Sequence, residues 1–175
     1  MKTRCGIVML LVALAAVLFA SLPAAAPASV SLNSYEQQLV KCINKERTKR
    51  GLALLRVDAR LVDSARAHSA DMGERHYFSH DSPSGETWSQ RIMHHGYTRE
   101  GYRTWKTGEN IAWGCGLYSS PVAIVDQWMK STMHRAVILT KSFRDIGVGA
   151  ASCDGYGSID GKVWFFTLDL GRRAR

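Results

Sequence analysis

The hydrophobic period changes once along this chain, and that change limits the folds open to it. Through its first part, apolar residues recur at helical spacing. Leu39, Cys42 and Ile43 fall within Ser34 to Arg50, where Ser34 is the expected N-cap and Gly51 the stop. Leu61, Ala65, His68 and Met72 follow the cap residue Asp58 at intervals of four, three and four. Trp88 and Ile92 lie one turn apart between Gly85 and Gly96, and Val125, Trp128 and Met129 follow Ser120 and Pro121. Beyond these, Ile146, Val148 and Ala150 alternate with Gly147 and Gly149, and Val163 to Leu170 is rich in strand formers. The turn-dense stretch SCDGYGSIDG between them predicts a longer hairpin loop joining two antiparallel strands. Helices first and strands later predict an α+β domain, with helices packed on a small, mainly antiparallel sheet.

The N-terminus predicts export. Lys2 and Arg4 precede an apolar run from Ile7 to Leu22, followed by Pro23 and small-residue cleavage sites ending at Ala26 and Ala28. That run is shorter than the roughly 20 residues a spanning helix needs, so residues 1–28 read as a signal peptide that leaves no transmembrane segment behind. A short segment, 29–33, then leads into a domain at 34–171, with a basic tail at 172–175. Loss of Lys2 and Arg4 lowers the formal net charge from +8 to +6. Such a charge suits an anionic cell-envelope surface, although solubility accounts for it equally well. Nucleic acid is not an expected partner, because no binding motif is present and the basic residues are scattered. Of the cysteines left after cleavage, Cys42 sits in a helical pattern and reads as a small buried hydrophobe. Cys115 and Cys153 fall in glycine-rich stretches and are the expected disulfide pair.

No dense catalytic motif is present: no H-E-x-x-H, no paired C-x-x-C, no nucleophile elbow and no phosphate loop. Any site must therefore be assembled from distant segments. His68 lies on an apolar stripe and reads as a hydrogen-bonded core residue. His80 in YFSHDS and His134 in STMHRAVIL stand at element edges between hydrophobic anchors, where side chains turn toward clefts. Glu109 in GENIA follows Gly108, which is expected to turn the chain, while Ile111 and Trp113 anchor the segment. Two histidines and one carboxylate are a donor set that can hold Zn²⁺ with open positions.

The motifs NKER, LVDSARAHSADM, YFSHDSPSG, GENIAWG, WMKSTMHRAVIL and FRDIGVGA stand in the order and spacing that resembles bacterial members of the CAP superfamily, also called the SCP domain. The resemblance covers Ser34 to Gly171 and implies an α-β-α sandwich with a large open cleft. It further implies that the cleft carries two histidines and two acids, matched here by His80, His134 and Glu109. The second acid's position is occupied by Ser131, so the resemblance implies weak Zn²⁺ binding and no required cofactor. His68 matches a structural position. The function implied is a secreted, non-enzymatic module binding a hydrophobic or envelope-derived ligand (lipid, sterol, glycan or peptide), with Trp88, Tyr102 and Trp105 as expected apolar walls and Ser131 beside them. The alternative is a metal-assisted hydrolase, with His80 and His134 as ligands and Glu109 as general base.

Overall fold

The computed structural model of the chain describes residues 30–175, so the expected signal peptide lies outside the described residues. Helix α1 spans Ser34–Thr48 and is capped one residue earlier than expected. Asn33 Oδ1 accepts from the Glu36 N–H at 3.0 Å, and the Glu36 carboxylate accepts from the Asn33 N–H at 2.9 Å. Glu36 stands at the third position counted from Asn33, and its carboxylate closes the box. Strand β1 is Arg56–Val57, and helix α2, Ala59–Glu74, opens on Asp58 as expected. Helix α3, Trp88–His94, opens on a second reciprocal box between Thr87 and Gln90. Strand β2, Thr104–Cys115, leads through a short 3₁₀ turn into helix α4, Pro121–Lys130, and then helix α5, Thr132–Ile138. Strands β3, Asp145–Tyr156, and β4, Ile159–Ala174, complete the chain.

The four strands form one sheet in the order β1-β3-β4-β2. Only β1 pairs in parallel; β3 and β2 both run antiparallel to β4. Helix α2 lies directly on one face, and the reason is the glycine pattern of β3. A Cβ on Gly147 would come within 2.0 Å of the Leu61 backbone, and one on Gly149 within 2.2 Å of the Ala65 carbonyl oxygen. The opposite face presents Ile146, Val148, Phe166, Leu168 and Leu170 to Leu39 and Ile43 of α1 and to Ile124 and Trp128 of α4, all buried in one cluster. Each such side chain contributes about 1.5–3 kcal/mol of burial, so this double-sided core is the main source of stability. Helices on both faces make the α-β-α sandwich. Arg47 joins α1 to the chain around it: fully buried, it donates to the carbonyls of Ala53, Ile138 and Thr140 at 3.0, 2.7 and 3.0 Å, and to that of Phe143 at 3.4 Å.

Three expectations are corrected by the sheet. The longer loop expected between the last strands is instead a tight connection, with Tyr156 opposite Ile159 and Gly157 at a φ of 60°. Turn residues there serve a bulge between Asp154 and Tyr156 and the two-residue turn itself. Cys115 and Cys153 accordingly lie in strands and do not bridge; Cys42, Cys115 and Cys153 are all free thiols. Both Cys115 and Cys153 face Val163 of β4, one from each side. Two strand spacings separate them, about 9.5 Å, beyond the roughly 7 Å that a disulfide spans. Finally, the basic tail is not a tail, because β4 continues to Ala174 and Arg173 lies over the Tyr97 ring at 4.0 Å. No helix among the described residues is long and apolar enough to cross a membrane.

Candidate functional site

A cleft of about 1040 Å³ runs beside β2, between the segment Phe78–Asp81 and helices α4 and α5. Its walls include Phe78, Trp113, Tyr118 and Ile159, and its polar lining includes His80, Ser131 and His134. The segment carrying His80 leaves α2 through His76, which adopts a φ of 53°. Two contacts from α2 then fix it. His68, fully buried, bonds through Nε2 to the Ser79 carbonyl at 2.9 Å, and the Tyr77 hydroxyl donates to Asp71 at 2.5 Å. His68 therefore has the structural role that its stripe predicts, and burial holds its pKa below the ordinary value. His134 is placed by α5, whose His134 carbonyl accepts from the Asn110 side chain at 3.0 Å.

Behind His80 sits a buried polar centre. His80 Nδ1 meets Glu109 Oε1 at 2.7 Å, and Arg91 Nη2 donates to Glu109 Oε2 at 2.5 Å and to the His80 carbonyl at 3.1 Å. Glu109 lies opposite Asp169 in the β2–β4 register, and Asp169, fully buried, accepts from the Ser64 hydroxyl at 2.7 Å. Burial and the Glu109 charge push the Asp169 pKa well above the usual carboxylate range, which favours the protonated form. The hydrogen bond to Glu109 raises the pKa of His80, while burial, assisted by the positive His80, lowers that of His134. The cleft thus presents one imidazole shifted toward its cation and one shifted toward its neutral form.

His80, His134 and Ser131 meet in the cleft; Glu109 does not line it, because its side chain is only 1% exposed behind His80. Gly108 does not turn the chain either. It lies within β2, where a Cβ would stand 3.0 Å from the Phe143 ring, so its role is close packing. The aromatic wall is also reassigned. Trp88 and Trp105 pack against Leu61, Ile92 and Tyr97, the Trp105 indole donates to the Tyr97 carbonyl at 3.0 Å, and Tyr102 lies under Arg173 at 4.8 Å. None of the three borders the cleft. Arg91 and Asp169 were missed by sequence reasoning. An acid inside the apolar run FFTLDL was the available signal for Asp169; Arg91, in a short polar helix, offered none.

As a zinc site the donors fall short. Both Glu109 oxygens are engaged by His80 and Arg91, which leaves two imidazoles where a catalytic zinc needs three protein ligands. Among the described residues no group of three His, Cys, Asp or Glu side chains is placed to hold a metal ion.

The sequence model of the cysteine-rich secretory protein (CAP) family matches residues 40–170. YkwD of Bacillus subtilis, an uncharacterised protein, is 42% identical over 139 residues, covering 79% of this chain and 48% of that protein. YlbC of the same organism, an uncharacterised membrane protein, is 35% identical over 115 residues, covering 65% of this chain and 31% of that one. The chain therefore spans half or less of the length of these relatives. Among solved structures, an extracellular SCP-domain protein of Bacillus anthracis superposes with a TM-score of 0.62 at 30% identity, covering 82% of this chain and 45% of that one. An outer surface protein of Borrelia burgdorferi shares the fold with a TM-score of 0.58 at 21% identity, covering 78% of this chain and 91% of that one.

Proposed function

Starting from the fact that the chain belongs to the cysteine-rich secretory protein family, we propose that it is an exported, non-enzymatic binding module whose cleft takes a largely apolar ligand of the cell envelope. The observation that carries this reading is a cleft of 1040 Å³ walled by Phe78, Trp113, Tyr118 and Ile159, from which the Glu109 carboxylate is withdrawn. Such a volume matches the upper range of small-ligand sites, and the few polar groups at one end would orient a ligand rather than transform it. Export rests on the charged start and apolar run, and on the extracellular relative of Bacillus anthracis. The basic balance would favour contact with an anionic envelope surface.

The hydrolase alternative would need Glu109 to reach a cleft water as general base. Its two oxygens are committed to His80 and Arg91, which counts against that role. The binding reading requires no cofactor. Zn²⁺ held by His80 Nε2 and His134 alone would bind weakly, and less so below about pH 6.5 as protons compete.

Titration with the dye anilinonaphthalene sulfonate tests the reading. The folded protein is expected to enhance its fluorescence, and the double variant Phe78→Ser, Trp113→Ala to weaken binding roughly tenfold or more through lost apolar contact. Equal binding by parent and variant would remove the cleft as the ligand site.

A further inference from the structure

The cleft touches five consecutive residues, Ile111, Ala112, Trp113, Gly114 and Cys115. Side chains of a strand alternate between faces, so five in a row border one cavity only when the cavity lies against the strand's edge. β2 is such an edge: its one partner among the described residues is β4. The Trp128 indole identifies which main-chain groups point outward, since it donates to the Ile111 carbonyl at 3.1 Å from α4. In an antiparallel pair a residue's N–H and C=O point the same way and the direction alternates along the strand. The Ile111 N–H and both main-chain groups of Trp113 therefore face the cleft.

The sheet's two edges differ in a telling way. β1 offers two residues, whereas β2 runs for twelve and carries no proline or charge from Asn110 to Cys115. Long apolar edges are normally blunted or covered, because they template pairing with another chain. Walls stand on both sides of this one, Phe78 and His80 toward one sheet face and Gln127 and Ser131 toward the other. Among the charges at the cleft, Lys130 is matched with Asp126 at 2.6 Å and His80 with Glu109 at 2.7 Å, while Asp81, which accepts only from the Trp88 N–H at 3.2 Å, is an acid without a cation, so an acidic side chain entering the cleft would find no free complement.

We propose that the ligand is an extended peptide segment without acidic side chains, bound by strand addition: its backbone pairs with the outward N–H of Ile111 and the N–H and C=O of Trp113, and its side chains alternate between the two walls. This deepens the reading of the cleft as an apolar binding site and rests on it. The bound stretch of Ile111 to Cys115 would span about 17 Å, enough for a five-residue strand.

The test uses blocked hexapeptides that alternate threonine with valine, leucine, phenylalanine or tyrosine, and two alternately N-methylated forms of each, read by amide exchange of the isotope-labelled protein. At millimolar peptide the Trp113 N–H is expected to gain protection. One methylated form should bind and the other fail, because only one set of peptide amides faces β2. Trp113→Pro, which removes an N–H outside the β4 ladder, should bind roughly tenfold more weakly than Trp113→Ala, the value of one or two hydrogen bonds. Equal binding by both methylated forms, or no protection by any peptide while anilinonaphthalene sulfonate still binds, overturns strand addition and leaves the apolar cleft standing. If neither dye nor peptide binds, the cleft reading falls and strand addition with it.

Discussion

Two arginines are buried among the described residues, and they are held in opposite ways. Arg47 is fully buried and donates to four main-chain carbonyls, with no acid beside it. Arg91 is 3% exposed and donates to the carboxylate of Glu109, while its Nε has no partner. Carbonyls do not titrate, so the joint around Arg47 has the same strength at any pH at which the chain folds. The centre around Arg91 is built from groups that do titrate: Glu109, Asp169 and His80. One arginine fastens chain segments together; the other clamps an acidic side chain beneath the cleft.

The strongest challenge to that contrast is Arg47→Met, which strands several buried carbonyls. It is expected to lower stability by about 3–5 kcal/mol in urea unfolding, by the same amount at pH 5 and pH 8. A loss that varies with pH would show that Arg47 belongs to a titrating network. Arg91→Met should cost about 2–4 kcal/mol at neutral pH, since it leaves the Glu109 charge buried without its cation. Protonation relieves a buried charge left without its partner, so the penalty should shrink as pH falls, and urea midpoints at pH 5 and pH 8 would reveal it.

Asp169→Asn sharpens the comparison from the other side. Burial favours the protonated acid, so its exchange for a neutral amide of the same shape should change stability by less than about 1 kcal/mol. A large gain in stability on removing the acid would mean that Asp169 is ionised beside Glu109. The smallest effect concerns His80, which is half exposed. Its pKa is raised by the bond to Glu109, so its contribution is complete below the unfolded value of about 6.5 and is lost as pH rises through the folded value. Proton NMR of the imidazole should show the titration of His80 moving down in Glu109→Gln; an unmoved midpoint would separate the two groups.

Helix α2 was legible in full, because cap, stripe and buried histidine all agree at Asp58, Leu61 and His68. β2 was not, since its outer half, TWKTGEN, lacks the alternation of a half-buried strand: Glu109 and Asn110 are buried polar residues satisfied by Arg91, His80 and the His134 carbonyl. Local pattern cannot report partners supplied from other elements. The cysteines failed for a related reason. Glycines near Cys115 and Cys153 suggested loops, but Gly114 makes room for the Tyr118 carbonyl and Gly155 sits in a bulge, both inside strands. The histidines were readable because flanking anchors set their direction. The aromatic walls were not, because Trp88 and Trp105 have the same local signature whether they face a cleft or a third small core.

The last strand in the sequence occupies the interior of the sheet, between β3 and β2. Synthesis, and threading through any narrow channel, deliver a chain from its N-terminus. Until Ile159 to Ala174 have emerged, β2 has no neighbour at all and β3 only the two residues of β1. The helices can wind by then, yet their apolar stripes have no sheet to cover. Assembly therefore waits for Ile159 to Ala174 and then proceeds at once, which keeps the residues before them extensible until that strand arrives. A chain stalled before Ile159 should be cut by protease throughout its length, and the same chain released should resist.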